Sequence, residues 1–307
     1  FISGFFLRSS IALLVFAVLV HIIPLAYGDT GAQEQLDFAN GLFARQMYSM
    51  AISEYEKFIA QNPEHPKKAR AYFLIGESFF CLKEYAKAIE KYREYKTQFP
   101  AGTDKIRASL NIIVCNIELK NYSAVDSDVS ELLGGDLNPE NKSELFYLAG
   151  LALLGEGKKE EGMQKLQSAA EAGGSRHAAA AAYQLGRSWW QENDFQKAGE
   201  FFQKAAQITD DSETKQLSLL GLSESELKLA RYAEALQGFN QVVAEEKAGA
   251  EARDKAILGV IKVFSASERY PELIAFYNEK KEAIFSSAIR FESALLAAQA
   301  CSKEGKY

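Results

Sequence analysis

The stretch that decides the fold reads YFLIGESFFCLKEYAKAIEKYREYKTQFP, from Tyr72 to Pro100. Its first half places apolar or small residues at 72, 75, 76 and 79, which is the spacing of one helix face. A short turn follows, and Ala88, Tyr92 and Tyr95 then form the face of a second helix. Pro100 ends that helix, because proline cannot continue it. The stretch predicts two amphipathic helices, neither of which can bury its apolar face alone.

The same unit recurs along most of the chain. The aromatic residue that follows the turn, Tyr85, has equivalents at a nearly constant interval, with Lys159 in one of the slots. These equivalents are Tyr48, Tyr122, Phe195, Tyr232, Tyr270 and Tyr307. A fixed period of this length is typical of stacked repeats that bury one another's faces. We expect an all-α solenoid of antiparallel helix pairs over residues 29–307, with seven repeats, the first helix of an eighth, and a chain truncated at its C-terminus.

The repeated residues resemble the tetratricopeptide repeat (TPR) family, whose pattern is W-x2-L-G-x2-Y…A-x3-F…P. The matching segments are Tyr72-x2-Ile75-Gly76-x2-Phe79…Ala88-x3-Tyr92…Pro100 and Ala182-x2-Leu185-Gly186-x2-Trp189…Ala198-x3-Phe202. The resemblance implies a right-handed superhelix that binds other proteins. The long turns between repeats are similar to those of bacterial cell-envelope TPR proteins, such as the TolA-binding periplasmic protein and the TPR lipoprotein of the outer-membrane barrel assembly machine. From these proteins we carry over the compartment and the scaffold role, and no pathway.

The N-terminal segment, residues 1–28, differs from the rest of the chain. Arg8 is its only charged residue, residues 11–20 are an unbroken apolar run, and the small residues Ala26 and Gly28 come at its end. This pattern predicts a secretory signal peptide, residues 1–28, cleaved after Gly28. The alternative is an uncleaved anchor, although the run is shorter than the roughly 20 residues that span a bilayer. We expect a secreted protein, periplasmic or associated with the outer membrane of a bacterium, which meets a membrane only through partners or through such an anchor.

Charge and cysteine content exclude several classes of function. The net charge of −6 and the pI of ≈ 5.4 argue against nucleic acid as a partner, because phosphate binding needs a basic surface. Three cysteines are too few for a disulfide-built scaffold. Cys81 and Cys115 fall near the ends of neighbouring first helices, which leaves open either a disulfide or two packed thiols. Cys301 has no evident partner in the sequence.

Signatures of catalysis are weak. Residues 155–159 read GEGKK, but this segment lacks the first glycine and the Ser or Thr of a phosphate-binding loop, so we interpret it as a turn between helices. His65 and His177 are far apart and lack the spacing of metal ligands. The many carboxylates lie on the outer faces of amphipathic helices. We therefore expect a non-catalytic protein with no catalytic residues, no cofactor and no metal site.

The resemblance also implies a binding surface, because in TPR proteins the first helix of each repeat lines a concave face. The candidate groove residues at these positions are Phe43, Arg70, Phe73, Glu77, Phe80, Tyr147, Tyr183, Arg187, Trp190 and Leu227. Aromatic residues and arginine make the strongest anchors in interfaces, which favours Tyr183, Arg187 and Trp190 as the centre. The alternative is that the aromatic positions are partly buried packing between neighbouring helices.

The leading hypothesis is a scaffold in the bacterial cell envelope that binds a peptide or an amphipathic helix of another envelope protein. A second hypothesis makes the repeats the N-terminal arm of a larger secreted enzyme or export component, whose active domain lies beyond residue 307. A weaker third is that the aromatic groove binds a glycan or peptidoglycan.

Overall fold

The computed structural model describes residues 30–173 and 175–305, and over these residues every regular element is a helix and none is a strand. The predicted signal peptide and the last turn aromatic, Tyr307, lie outside the described residues. The chain divides into two compact units, Phe1–Asp128 and Val129–Tyr307. The prediction of an all-α solenoid of paired helices is confirmed.

The first unit stacks helices that are joined in pairs by short turns. Its helices are α1 (30–44), α2 (Tyr48–Gln61), α3 (Lys68–Cys81), α4 (Tyr85–Gln98) and α5 (Lys105–Glu118). The core between α3, α4 and α5 is aromatic: Tyr92 and Tyr95 are almost fully buried, and Phe73 packs on both rings. The apolar faces predicted for residues 72–100 are therefore buried against each other and against α5.

The third helix pair departs from the pattern. A 3₁₀ turn, Tyr122–Ala124, precedes α6 (Val125–Leu133), which has only 9 residues. The segment is rich in Ser, Asp and Val, which favour helices less than the Ala, Lys and Glu of α4. Gly134 and Gly135 follow immediately, and their N–H groups bond back to Ser130 and Leu132. The second helix of this pair is therefore present but short, and a 3₁₀ turn precedes it.

The second unit continues with longer first helices. Its helices are α7 (Pro139–Gly155), α8 (Lys159–Glu171), α9 (Ser175–Gln191), α10 (Phe195–Ile208), α11 (Ser212–Lys228), α12 (Tyr232–Ala244), α13 (Ala250–Ala266), α14 (Tyr270–Lys280) and α15 (Ser287–Lys303). A buried carboxylate, Asp254, joins α13 to the segment before α15. Its oxygens accept the backbone N–H groups of Phe285 and Ser286 at 2.7–3.2 Å.

Every turn inside a helix pair uses one left-handed residue. The positive-φ residues at these turns are Gln46, Lys83, Lys120, Gly157, Asn193, Ala230, Glu268 and Gly305, and each lies two residues before a turn aromatic position. A further positive-φ residue, Gly173, lies between α8 and α9. At Lys83 the N–H bonds to Phe80 O, and the next N–H, of Glu84, bonds to Phe79 O, which is the Schellman C-cap. This geometry confirms that GEGKK at 155–159 is a turn between helices.

Glycines on the first helices allow an aromatic ring of a second helix to rest on the backbone. A Cβ at Gly186 would lie 2.7 Å from the nearest ring atom of Phe202, and a Cβ at Gly221 would lie 2.8 Å from the same ring. Phe202 is therefore held between α9 and α11 and is 3% exposed. This close approach explains why glycine occupies both positions, since a side chain at either one would clash with the ring of Phe202.

Candidate functional site

In the first unit, the candidate residues on α3 are engaged in internal contacts. Phe73 is 3% exposed, because the rings of Tyr92 and Tyr95 cover it, which fits the alternative that the aromatic positions are packing between helices. Glu77 Oε1 accepts hydrogen bonds from Tyr92 and from Asn111 Nδ2. That carboxylate, after burial itself, helps to hold the pKa of the Tyr92 phenol well above its usual range.

The other candidates of the first unit lie nearer the surface. Arg70 is exposed, bonds through Nη1 to Asp104 Oδ1 at 2.8 Å, and lies 5.1 Å from the ring centroid of Phe73. Phe43 and Phe80 are half-buried and meet the turn aromatics Tyr48 and Tyr85 edge to face. The ring contacts serve the packing of the helix pairs.

In the second unit, α9 presents the predicted centre on one face. Tyr183, Arg187 and Trp190 all line a depression of ≈ 280 Å³. Phe202, Leu220 and Gly221 also line it, and the first two are buried. Leu217, Gln191, Glu224 and Lys255 complete its lining. The prediction that the three α9 residues share one surface is therefore consistent with the structure, and that surface extends onto α11 and α13.

A second depression, of ≈ 540 Å³, adjoins the first. The lining residues that the two depressions share are Trp190, Glu224 and Lys255. The second one adds Leu227, Lys228, Phe239, Leu258, Gly259, Lys262 and Ala266. We call the two depressions together the α9–α13 groove. It contains four of the ten predicted site residues, Tyr183, Arg187, Trp190 and Leu227.

The aromatic side chains of the α9–α13 groove are held by neighbouring rings. Tyr183 packs on Phe202 with ring centroids 5.6 Å apart, and Trp190 meets Phe195 edge to face at 4.8 Å. Both side chains are half-buried, so each keeps an accessible surface. Their rotamers are fixed before a partner arrives, which lowers the entropy that binding must offset.

Glu224 lies at the centre of the groove among three lysines. Its side chain is exposed, but the groove walls limit its hydration, and this desolvation raises the pKa of the carboxyl above its usual range. The positive charges of Lys262, Lys255 and Lys228 act in the opposite direction.

The three lysines and Leu258 are site residues that the sequence prediction missed. The sequence carries a signal for three of them, because Lys255, Leu258 and Lys262 lie one repeat period after Leu217, Leu220 and Glu224. Lys228 lies next to the predicted Leu227 and faces the same depression.

The remaining sequence predictions concern Tyr147, the cysteines and the histidines. Tyr147 is half-buried against the ring of His177, at 6.0 Å, and lies outside the groove. The pKa of its phenol is raised by burial.

Cys81 and Cys115 are both unbridged, so the disulfide alternative was wrong. Burial raises the pKa of the Cys115 thiol to about 12. His177 Nε2 lies 4.0 Å from the buried carboxylate of Glu144, and its side chain is 20% exposed.

Within residues 30–173 and 175–305, no group of His, Cys, Asp and Glu side chains has the arrangement of a metal site. No helix within the same residues combines the length and the apolar character needed to cross a bilayer.

A family model described as "Tetratricopeptide repeat" matches two parts of the sequence, residues 36–103 and 147–213. The second match covers α9 and α10, which carry Tyr183, Arg187, Trp190 and the Phe202 beneath them. No curated protein matches the sequence.

Solved structures of helical repeat proteins have the same fold. PilF of Pseudomonas aeruginosa is 18% identical, with a TM-score of 0.53, and the match covers 74% of this chain and 97% of PilF. A TPR repeat-containing protein of Cytophaga hutchinsonii is 17% identical, with a TM-score of 0.52, over 76% of this chain and 80% of that one. The apo quorum sensor NprR of B. thuringiensis is 13% identical, with a TM-score of 0.53, and the match covers 90% of this chain and 83% of NprR. At these identities the similarity establishes the fold alone.

Proposed function

Because the chain belongs to the tetratricopeptide repeat family, which implies a scaffold for protein–protein interaction, we propose that it binds a partner protein non-catalytically through the α9–α13 groove. The observation that carries the proposal is the continuity of the two depressions. They share Trp190, Glu224 and Lys255, so one bound segment can contact α9, α11 and α13 together.

The composition of the groove suits a peptide or a helix. Its floor is apolar, with Phe202, Leu220 and Phe239 almost fully buried, and its rim carries charges. Interfaces concentrate their binding energy in aromatic and arginine anchors at the centre of such a patch. A helix or an extended segment places apolar side chains at regular intervals along one face, which matches a row of pockets on successive helices.

We further propose that the protein works in the bacterial cell envelope. The support is the sequence of residues 1–28, with a single basic residue, an apolar run and small residues before Asp29. Expression in a bacterium, followed by fractionation and N-terminal sequencing, tests this. Recovery of the protein in the periplasm or the membrane fraction, with Asp29 as the first residue, supports the proposal, and recovery in the cytoplasm with residues 1–28 intact contradicts it.

The two tryptophans of the chain are adjacent, and only Trp190 lines the groove. The ring of Trp189 instead contacts the ammonium group of Lys197, whose Nζ lies 4.0 Å from the ring centroid. A partner captured from an envelope extract, and identified by mass spectrometry, should shift the intrinsic fluorescence when it is added to the full chain. The shift should persist in Trp189→Phe and largely disappear in Trp190→Phe.

Trp190→Ala should weaken the captured interaction by about tenfold or more, since truncating a central aromatic anchor commonly costs over ~1 kcal/mol. The matched control is Trp189→Ala, whose ring lies outside the groove. If Trp190→Ala binds as tightly as the parent chain, while both variants keep the parent's far-UV circular dichroism, the α9–α13 groove is not the binding surface.

A further inference from the structure

We propose that the α9–α13 groove selects an acidic segment of its partner, in which Asp or Glu residues are interleaved with aromatic or aliphatic residues. This inference rests on the function proposed above and specifies the chemistry of the partner.

The first argument is a local inversion of charge. The whole chain has a net charge of −6. The groove lining, in contrast, contains Arg187, Lys228, Lys255 and Lys262 against the single carboxylate of Glu224, a net charge of +3. Such a patch attracts acidic segments and repels basic ones, and complementarity of this kind determines partner choice more than total affinity.

The second argument is the position of Glu224, which lines both depressions together with Lys255 and lines the second together with Lys228 and Lys262. The charges of these lysines favour its ionised form, although desolvation outweighs them and keeps the pKa of the carboxyl above its usual range. Glu224 is the only acidic residue in the groove lining, so carboxylates of a bound segment would find Arg187 and the lysines beside its apolar walls.

Two of the lysines also have partners outside the groove. Lys255 Nζ lies 2.7 Å from Glu251 Oε1, and Lys262 Nζ lies 2.8 Å from Glu292 Oε1. The side chain of Glu251 is 81% exposed and that of Glu292 is 47% exposed. Exposed ion pairs of this kind contribute little to stability. Exchanging them for carboxylates of a partner therefore costs little.

The third argument is the alternation of charge and apolar surface along the groove. Arg187 lines the first depression and Lys262 the second, Trp190 lines both, and Leu227 and the buried Leu258 line the second. A purely acidic segment would leave the apolar surface uncovered, and a purely apolar segment would bury cations without partners, which is unfavourable. A segment with both kinds of side chain satisfies both requirements.

The test uses the full chain and a fluorescein-labelled random copolymer of Glu and Tyr, which samples many spacings of carboxylates and rings. The matched probes are a random copolymer of Lys and Tyr and a poly-Glu homopolymer of equal length. Binding is measured by fluorescence anisotropy at low and at physiological ionic strength. The charge-reversed variant is Lys255→Glu with Lys262→Glu, and its control is Lys204→Glu with Lys215→Glu, which changes the net charge equally on α10 and α11 outside the groove.

We expect the Glu/Tyr copolymer to bind at least about tenfold more tightly than either other probe. The groove charge reversal should weaken it by about tenfold or more, and the control by less than about twofold. Trp190→Ala should also weaken it by about tenfold. Circular dichroism of each variant verifies that the fold is retained.

Three results overturn the inference. If both copolymers bind equally and Trp190→Ala weakens both, the groove binds peptides without acidic preference, so the proposed function stands and this inference fails. If poly-Glu binds as well as the Glu/Tyr copolymer and Trp190→Ala has no effect, the attraction is unspecific. If an identified partner depends on Trp190 but no Glu/Tyr copolymer binds, acidic chemistry is not what the groove recognises.

Discussion

Replacing Gly221 with alanine tests whether α9 and α11 are packed on the ring of Phe202. The added Cβ would lie 2.8 Å from Cε1, Cε2 and Cζ of that ring. The ring cannot move toward α9, because the backbone at Gly186 approaches it equally closely. Overpacking of this kind costs about 1–3 kcal/mol. A glycine-to-alanine change inside a helix gains about 1 kcal/mol in propensity, so we expect a net loss of about 1 kcal/mol.

The matched control is Gly199→Ala in the neighbouring helix α10. A Cβ at Gly199 would meet side chains at 3.6–3.8 Å, which is ordinary contact, so this variant should be more stable by about 1 kcal/mol. Urea unfolding followed by far-UV circular dichroism measures both changes. In a Phe202→Leu background, Gly221→Ala should lose its penalty and become neutral or stabilising, because the facing ring is gone. The reasoning is refuted if Gly221→Ala stabilises the parent chain as much as Gly199→Ala does.

Three other variants test further features of the structure. Ala230→Gly should raise the free energy of unfolding by roughly 1 kcal/mol, because Ala230 has φ 59° at a helix C-cap; an unchanged urea midpoint would contradict this. Asp254→Ala should lower it by about 2 kcal/mol, because it removes the buried carboxylate that accepts the N–H groups of Phe285 and Ser286, whereas Asp254→Asn, which keeps one acceptor oxygen, should lose less. Burial raises the pKa of Tyr55 to about 12, so the folded state keeps a proton that the unfolded state loses near pH 10. The free energy of unfolding should therefore fall as pH rises from 10 to 12, and Tyr55→Phe should make that fall shallower when unfolding is measured across the range.

The fold could be predicted from the sequence because each repeat carries its own periodic evidence. The pattern from Tyr72 to Pro100 specifies two apolar helix faces, and its recurrence at a nearly constant interval requires that the faces stack.

The position of each turn could be predicted from the sequence, but its backbone conformation could not. Most of their left-handed residues are not glycine, and Lys83 or Gln46 in isolation gives no signal for a positive φ. The repeated Schellman hydrogen bonds impose that conformation.

The binding surface was predictable only in part. Phe73 and Tyr183 occupy the same position of their repeats, yet Phe73 is buried and Tyr183 lines the groove. The difference comes from a residue on the following helix. Tyr95 covers Phe73, whereas Ala205, its equivalent, is too small to cover Tyr183. A prediction that treats each first helix separately cannot detect this.

The sequence by itself determined the helices and their pairing, which depend on local periodicity that every repeat displays independently. The family resemblance added the candidate groove positions on the first helices. Only the tertiary structure decided which of those positions remain open. Accessibility depends on side-chain volumes that come from different helices, such as Phe202 under Tyr183 and Phe195 beside Trp190. The grouping of Glu224 with lysines of α11 and α13 likewise exists only once the helices are stacked.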